Sequence, residues 1–341
     1  MKKLRLLLFP FGFLYGIITA VRNLLYDRGI KKTYHIPVKS ICVGNLSVGG
    51  TGKTPHVAYL AAMLSPASDT AILSRGYGRK TTGYILLDDT STSGQVGDEP
   101  LFYYSNFKSR VRVAVCESRQ KGTENLLSTG ATDVLLLDDA FQHRAVSAGL
   151  NILLTDYSHP YYSDLMLPAG NLREWASGRK RADIVIVTKC PPLDENRKHT
   201  TRKRLKFAPE HIYFSEIVYG ALVPFRPAQQ EPMENVLLVT GIANPEPLEK
   251  HLRKQFHVEL MKFPDHHVFT LEDIQQIHKK FDTFAGGRKA IITTEKDYMR
   301  LLELENSSGM HEFPWFYQSI TVRIDREKDF KAEIDNYVRA I

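Results

Sequence analysis

The run Gly44-Asn45-Leu46-Ser47-Val48-Gly49-Gly50-Thr51-Gly52-Lys53-Thr54-Pro55 restricts this chain more than any other stretch. It follows Ser40-Ile41-Cys42-Val43, which reads as a short buried strand. It precedes His56 to Leu64, an apolar run with helical spacing. Strand, glycine-rich loop and helix form the context of a phosphate-binding loop. Residues without side chains let backbone N–H groups turn inward around an anion, and the helix start adds partial positive charge. In such a loop Lys53 reaches the β- and γ-phosphates and the Thr54 hydroxyl holds Mg²⁺. The pattern departs once, because Ser47 occupies its first glycine position. The binding segment is therefore Ser47, Val48, Gly49, Gly50, Thr51, Gly52, Lys53 and Thr54, with Gly49 and Gly50 supplying the flexibility. An ordinary glycine-rich turn is the bland alternative. Gly-Lys-Thr at a strand-to-helix junction argues against it.

Upstream, Leu6 to Val21 form sixteen residues without a charge. Lys2, Lys3 and Arg5 precede them, and Arg22, Asp27, Arg28, Lys31 and Lys32 follow. A signal peptide starts this way, but Arg22-Asn23-Leu24-Leu25-Tyr26 offers no small-residue cleavage site. The run falls short of the ~20 apolar residues of a spanning helix, and Pro10, Gly12 and Gly16 weaken it further. Basic flanks with Phe9, Phe11, Phe13 and Tyr15 fit a helix held at one membrane face, residues 1–28. A soluble helix packed on the domain is the other reading. A net charge of +7 over 341 residues suits an anionic partner: membrane lipid, nucleic acid or a phosphorylated substrate. No aromatic-basic motif supports nucleic acid. Cys42, Cys116 and Cys190 are odd in number and widely spaced, which fits a reducing cytoplasm.

Strands near residues 41, 72, 115, 137, 153 and 186, alternating with helical patterns, point to an α/β, P-loop NTPase-like doubly wound parallel sheet. The polar motifs fall at carboxyl ends of strands, where open α/β sheets bind ligands. Asp133 to Asp139 is a buried strand ending in Asp138 and Asp139. Two adjacent aspartates are costly to bury without a cation, so Mg²⁺ binding is favoured. Ser74-Arg75-Gly76-Tyr77-Gly78-Arg79 reads as a phosphate or sugar contact, or as a solvated basic turn. Asp98 in Val96-Gly97-Asp98-Glu99-Pro100 is either a base or a helix cap. His143 either touches substrate or packs.

In the second half, Thr188-Lys189-Cys190-Pro191 lacks the aspartate of a guanine-reading motif, which favours ATP. Residues 192–206 carry Arg197, Lys198, Arg202, Lys203, Arg204 and Lys206, a solvated helix face or a membrane contact. Pro224, Pro227, Gln229, Gln230 and Pro232 mark a linker over 218–233. It separates a main domain, 29–217, from a smaller α/β domain, 234–341. Pro264-Asp265-His266-His267 reads, alone, as a polar surface loop.

Together these stretches resemble the tetraacyldisaccharide 4'-kinase (lipid A 4'-kinase) family. The matching segments include the loop at 44–55, those at 74–79, 96–100 and Leu137-Asp138-Asp139-Ala140-Phe141-Gln142-His143, and Leu167-Pro168-Ala169-Gly170-Asn171-Leu172-Arg173-Glu174. Arg181-Ala182-Asp183, Pro264-Asp265-His266-His267 and Thr294-Glu295-Lys296-Asp297 complete the order. Ala140 replaces the usual glycine and Asn171 a common proline; neither change removes a charged group. The resemblance implies ATP- and Mg²⁺-dependent phosphorylation of the 4'-hydroxyl of a tetraacylated glucosamine disaccharide 1-phosphate. It places the reaction at the cytoplasmic face of the inner membrane, with no nucleic-acid partner. It further implies Asp98 as base with His266 as its partner, and Lys53 on the transferred phosphoryl group. Thr54, Asp138 and Asp139 are then the metal residues. Arg75, Tyr77, Arg119, His143 and Arg173 are candidates for the substrate. A membrane-tethered P-loop NTPase acting as a switch or metal-delivery factor is the competing class.

Overall fold

In the parallel strands the apolar runs are buried on both faces, because helices cover both sides of the sheet. The computed structural model describes residues 5–226, 233–284, 286–304 and 308–340. The chain opens with α1 (Phe9–Asp27), β1 (Tyr34–His35), β2 (Lys39–Asn45), α2 (Lys53–Leu64), β3 (Thr70–Ser74) and β4 (Ile85–Leu86). Next come α3 (Ser93–Val96), α4 (Asp98–Phe107), β5 (Val111–Val115), α5 (Arg119–Ser128), β6 (Val134–Asp138), β7 (Val146–Ser147) and β8 (Leu150–Asp156). They are followed by β9 (Ile184–Thr188), α6 (Glu195–Leu205), β10 (Ile212–Pro224), β11 (Asn235–Thr240), α7 (Glu246–Leu252) and β12 (His257–Lys262). The chain closes with α8 (Leu271–Thr283), β13 (Lys289–Thr294), α9 (Glu295–Leu301), β14 (Trp315–Ile324) and α10 (Glu327–Arg339).

Among the described residues one twelve-stranded sheet runs β12-β11-β13-β14-β10-β9-β8-β2-β6-β3-β5-β4. Pairs are parallel except β10 with β14 and β4 with β5. Alternate residues of β2 feed opposite faces: Ile41 and Val43 pack with Val57 and Leu60 of α2, while Cys42 packs with Leu73 and Leu137. This alternation is the period-two signature of a strand covered on both sides.

β10 departs from the expected linker. Ile212 to Phe214 pair parallel with β9, and Ser215 to Pro224 pair antiparallel with β14. Residues 218–224 are thus the outer part of a strand, with Leu222 and Val223 opposite Gln318 and Tyr317. Gly220 and Pro224 resemble loop punctuation in sequence, but the register slips between Tyr219 and Leu222 and Pro224 ends the strand. Pro227, Gln229, Gln230 and Pro232 lie outside the described residues. β11, β12 and β13, with α7, α8 and α9, form the smaller α/β part that continues the sheet.

The glycines that weaken α1 as a spanning helix are its seat. Gly12, Gly16 and Thr19 are its buried positions, spaced to fall on one stripe. A Cβ on Gly16 would stand 2.4 Å from Trp175. The helix packs by this stripe against the 166–175 segment. Asn23 Nδ2 donates to Glu174 Oε2 at 2.7 Å, and Arg5 Nη2 donates to the Gly170 carbonyl at 2.5 Å. The opposite side is apolar and exposed, with Phe11 at 65% and Ile18 at 58%. No described helix is long and apolar enough to cross a membrane.

Candidate active site

The phosphate loop joins the end of β2 to the start of α2. Gly52 sits at φ 85°, a left-handed conformation that only glycine adopts freely, and it turns the chain into the helix. Neighbours on several sides fix the rest. Val48 N–H donates to the Asn171 carbonyl and Arg173 N–H to the Leu46 carbonyl, both at 2.8 Å. Asn45 Nδ2 donates to Thr51 Oγ1 at 2.8 Å, and Thr188 Oγ1 to the Thr51 carbonyl at 2.9 Å. The Asn171-Leu172-Arg173 stretch is therefore the outer wall of the loop.

A residue that sequence reading passed over anchors the loop from below. His56 Nδ1 lies 2.7 Å from the Gly52 carbonyl and Nε2 lies 2.9 Å from Ser215 Oγ. The carbonyl accepts only, so Nδ1 donates and Nε2 accepts the serine proton. Burial lowers the His56 pKa to about 4 and keeps the ring neutral.

The two aspartates at the end of β6 take different roles. Asp139 follows the strand in a left-handed conformation, φ 48°. Arg173 Nη1 donates to both its oxygens at 3.0 Å, and Lys53 Nζ lies 3.6 Å from Oδ1. Burial opposes its ionisation, but Lys53 and Arg173 outweigh it and hold Asp139 below the usual carboxylate range. Asp138 is buried and accepts from Ser74 Oγ at 3.0 Å. Burial, followed by the charges of Asp139 and Glu99, raises its pKa to about 6. Asp138 is the carboxylate short of positive charge. With the Thr54 hydroxyl it makes an oxygen-only donor set that fits Mg²⁺, an ion that keeps waters and phosphate oxygens in its shell. No group of three or more metal-ligating side chains occurs among the described residues, as such a partly hydrated ion allows.

Arg119 is 2% exposed, and its guanidinium braces the end of β6. Nη1 donates to the Cys116 carbonyl at 2.7 Å and Nη2 to the Asp138 carbonyl at 3.0 Å. Arg119 and Arg173, both expected at the substrate, thus have protein partners here. Arg75 and Tyr77 are exposed. His143 is partly exposed, and burial, then Arg119, Arg75 and Arg22, lowers its pKa. Arg22 comes from α1, the first charge after the apolar run, and was not among the expected residues.

The residues expected at the acceptor gather around the start of α4. Gly76 and Gly97 pack against each other, since a Cβ on Gly76 would meet the Val96 carbonyl at 2.7 Å and one on Gly97 the Tyr77 carbonyl at 2.9 Å. This contact brings Tyr77 beside the first turn of α4. Asp98 does not cap that helix with its side chain. Its Oδ2 instead accepts from Arg300 Nε at 2.8 Å and Arg300 Nη2 at 2.5 Å. His266 Nδ1 is 3.7 Å from Oδ2, outside hydrogen-bonding range, and 3.3 Å from Arg300 Nη2. The Tyr77 and His266 rings lie 6.2 Å apart, edge to face. His267 belongs to the α8 cap through Asp273 Oδ2 at 2.8 Å. Glu99 acts on both Asp138 and Lys296, which ties this helix start to the nucleotide side of the cleft.

Two expectations follow. The unfolded His56 titrates near 6.5 and the folded one near 4. Stability from the neutral ring is complete above 6.5 and is lost as pH falls through that window, up to roughly 3 kcal/mol. Denaturant midpoints at pH 7.5 and pH 5 measure it, and His56→Gln flattens the difference. Asp138 must lose its proton to hold a cation, so Mg²⁺ affinity measured by calorimetry falls about tenfold from pH 7 to pH 5. Asp138→Asn removes that pH dependence.

Residues 4–339 match the family described as tetraacyldisaccharide-1-P 4'-kinase. A tetraacyldisaccharide 4'-kinase of Flavobacterium johnsoniae is 44% identical over 99% of this chain and 98% of that protein. One of Bacteroides thetaiotaomicron is 42% identical over 97% and 93%. A crystal structure of LpxK from Aquifex aeolicus in complex with ATP superposes with a TM-score of 0.77 at 31% identity, covering 98% of this chain and 99% of that one. Fold, phosphate loop and full-length similarity agree: the chain belongs to the tetraacyldisaccharide-1-P 4'-kinase family.

Proposed function

We propose that this ATP-dependent kinase of lipid A biosynthesis uses Asp98 as the base that takes the proton of the acceptor 4'-hydroxyl. The observation that carries the reading is the Asp98 carboxylate itself. One oxygen is held by Arg300, while the other has no hydrogen-bond partner among the described residues. The hydroxyl oxygen of the tetraacylated glucosamine disaccharide 1-phosphate bonds to the γ-phosphorus as the bond to the ADP oxygen breaks, and its proton passes to Asp98. Lys53 stabilises the charge of the phosphoryl oxygens during transfer. Thr54 and Asp138 hold Mg²⁺, which supplies further charge neutralisation at the phosphates when bound. Asp139 keeps Lys53 and Arg173 in place. Arg75, Tyr77 and His143 meet the sugar and its 1-phosphate, with His266 beside Tyr77.

The reading also places the enzyme at the cytoplasmic face of the inner membrane. The exposed apolar side of α1, with Phe11, Leu14 and Ile18, supports an interfacial helix that meets the acyl chains of the substrate. The net charge of +7 favours an anionic lipid surface. The domain reading of residues 29–217 and 234–341 assigns the donor nucleotide to the first part and the clamp on the base to the second.

Transfer of label from ATP to the acylated disaccharide tests the chemistry. Asp98→Asn is expected to lower kcat by ~10²–10⁴-fold while leaving ATP affinity near normal. Near-normal turnover would remove Asp98 from this role, and full activity of Lys53→Ala would do the same for the loop. Replacing Phe11, Leu14 and Ile18 together with aspartate is expected to abolish co-sedimentation with anionic phospholipid vesicles. Undiminished vesicle binding would take α1 out of membrane attachment.

A further inference from the structure

We propose that Arg300 is the positioning residue of the acceptor site: it holds one oxygen of Asp98 so that the other is presented to the sugar hydroxyl. The inference rests on the reading of Asp98 as base. Arg300 lies three residues beyond Asp297, the last residue of the Thr294-Glu295-Lys296-Asp297 segment, on α9, and its side chain is 5% exposed. A guanidinium paired with a carboxylate commonly spans both oxygens. Here Nε and Nη2 converge on Oδ2 alone, at 2.8 and 2.5 Å. Oδ1 has no hydrogen-bond partner among the described residues, so the contact leaves that oxygen with its lone pairs available to accept a proton.

The guanidinium is itself immobilised from behind. Nη1 donates to Asp297 Oδ1 at 2.9 Å and to the Gly241 carbonyl at 3.3 Å. Asp297 is fully buried, and its Oδ2 accepts from Gly241 N–H at 2.9 Å and Thr294 Oγ1 at 2.7 Å. Asp98 is thus the outer end of a fixed chain that begins at the carboxyl end of β13. Lys296 Nζ, 2.9 Å from Glu99 Oε1, reinforces the same contact between α9 and α4. His266 contacts this chain at Arg300 Nη2, 3.3 Å away, and does not itself hold the carboxylate. When Asp98 accepts a proton on Oδ1, Arg300 still holds Oδ2, so the acid keeps its place for the return of the proton to solvent.

Steady-state kinetics with ATP and the acylated disaccharide test the assignment. Arg300→Ala is expected to lower kcat on the order of 10²-fold, the loss typical of a misplaced catalytic group. KM for ATP should stay within about twofold, because the phosphate loop is untouched. Added guanidinium at millimolar concentration should restore part of kcat to Arg300→Ala, whereas methylammonium should not. Arg300→Lys, which keeps the charge and can direct only one donor group, should retain more activity than Arg300→Ala and serves as the better-folded variant. Combined with Asp98→Asn, Arg300→Ala should cost nothing further, since it acts through Asp98. Turnover of Arg300→Ala within about twofold of the parent, additive losses in the double variant, or equal rescue by both cations would overturn the proposal. Full activity of Asp98→Asn would refute the base itself; an inactive Asp98→Asn beside an active Arg300→Ala would refute the positioning alone.

Discussion

Strand β10 is the constraint on which both halves of the molecule depend. It completes the nucleotide-side sheet by pairing with β9, then leaves that register and pairs with β14. A single continuous strand therefore sets how the second part meets the first. From the same strand Ser215 supports His56, and His56 supports Gly52 at the turn of the phosphate loop. The loop and the interdomain connection are built on one piece of backbone. That arrangement makes their relative position a property of the ladder hydrogen bonds that β10 makes on its two sides.

Charge is distributed across the cleft in the same economical manner. A pair of adjacent aspartates would repel, and burying both would raise both pKa values. Asp139 escapes by recruiting Lys53 and Arg173. Asp138, deeper and bonded to Ser74, is left wanting a cation. On the opposite side Asp98 is matched by Arg300, and Glu99 by Lys296. Among the described residues Asp98, Glu99 and Asp139 each have a cation within salt-bridge distance and Asp138 has none, as a carboxylate proposed to hold Mg²⁺ requires.

Much of this was legible in the chain. Gly-Lys-Thr was read between a strand and a helix, which is where the structure has it, and strands near residues 41, 72, 115, 137, 153 and 186 are all present in the sheet. These features are local: hydrophobic period and turn chemistry need no knowledge of distant residues. The stretch at 218–224 misled because Gly220 and Pro224 resemble loop punctuation, while the partner that makes it a strand, β14, lies about a hundred residues on. Arg119, a substrate candidate in sequence, is buried with its guanidinium bonded to the Cys116 and Asp138 carbonyls. Only the packing of α5 on β3 and β5 buries it.

The sequence by itself determined the α/β class and ATP as donor, because hydrophobic period and turn chemistry are local, and the family, because many short segments recur in one order along the chain. Tertiary structure alone decided which aspartate keeps a cation and which one needs it. It alone set Gly12 and Gly16 as the seat of α1, and joined Asp98 to Arg300 across 202 positions. Those outcomes depend on burial and on the direction of individual lone pairs. Neither quantity exists until distant segments are packed together.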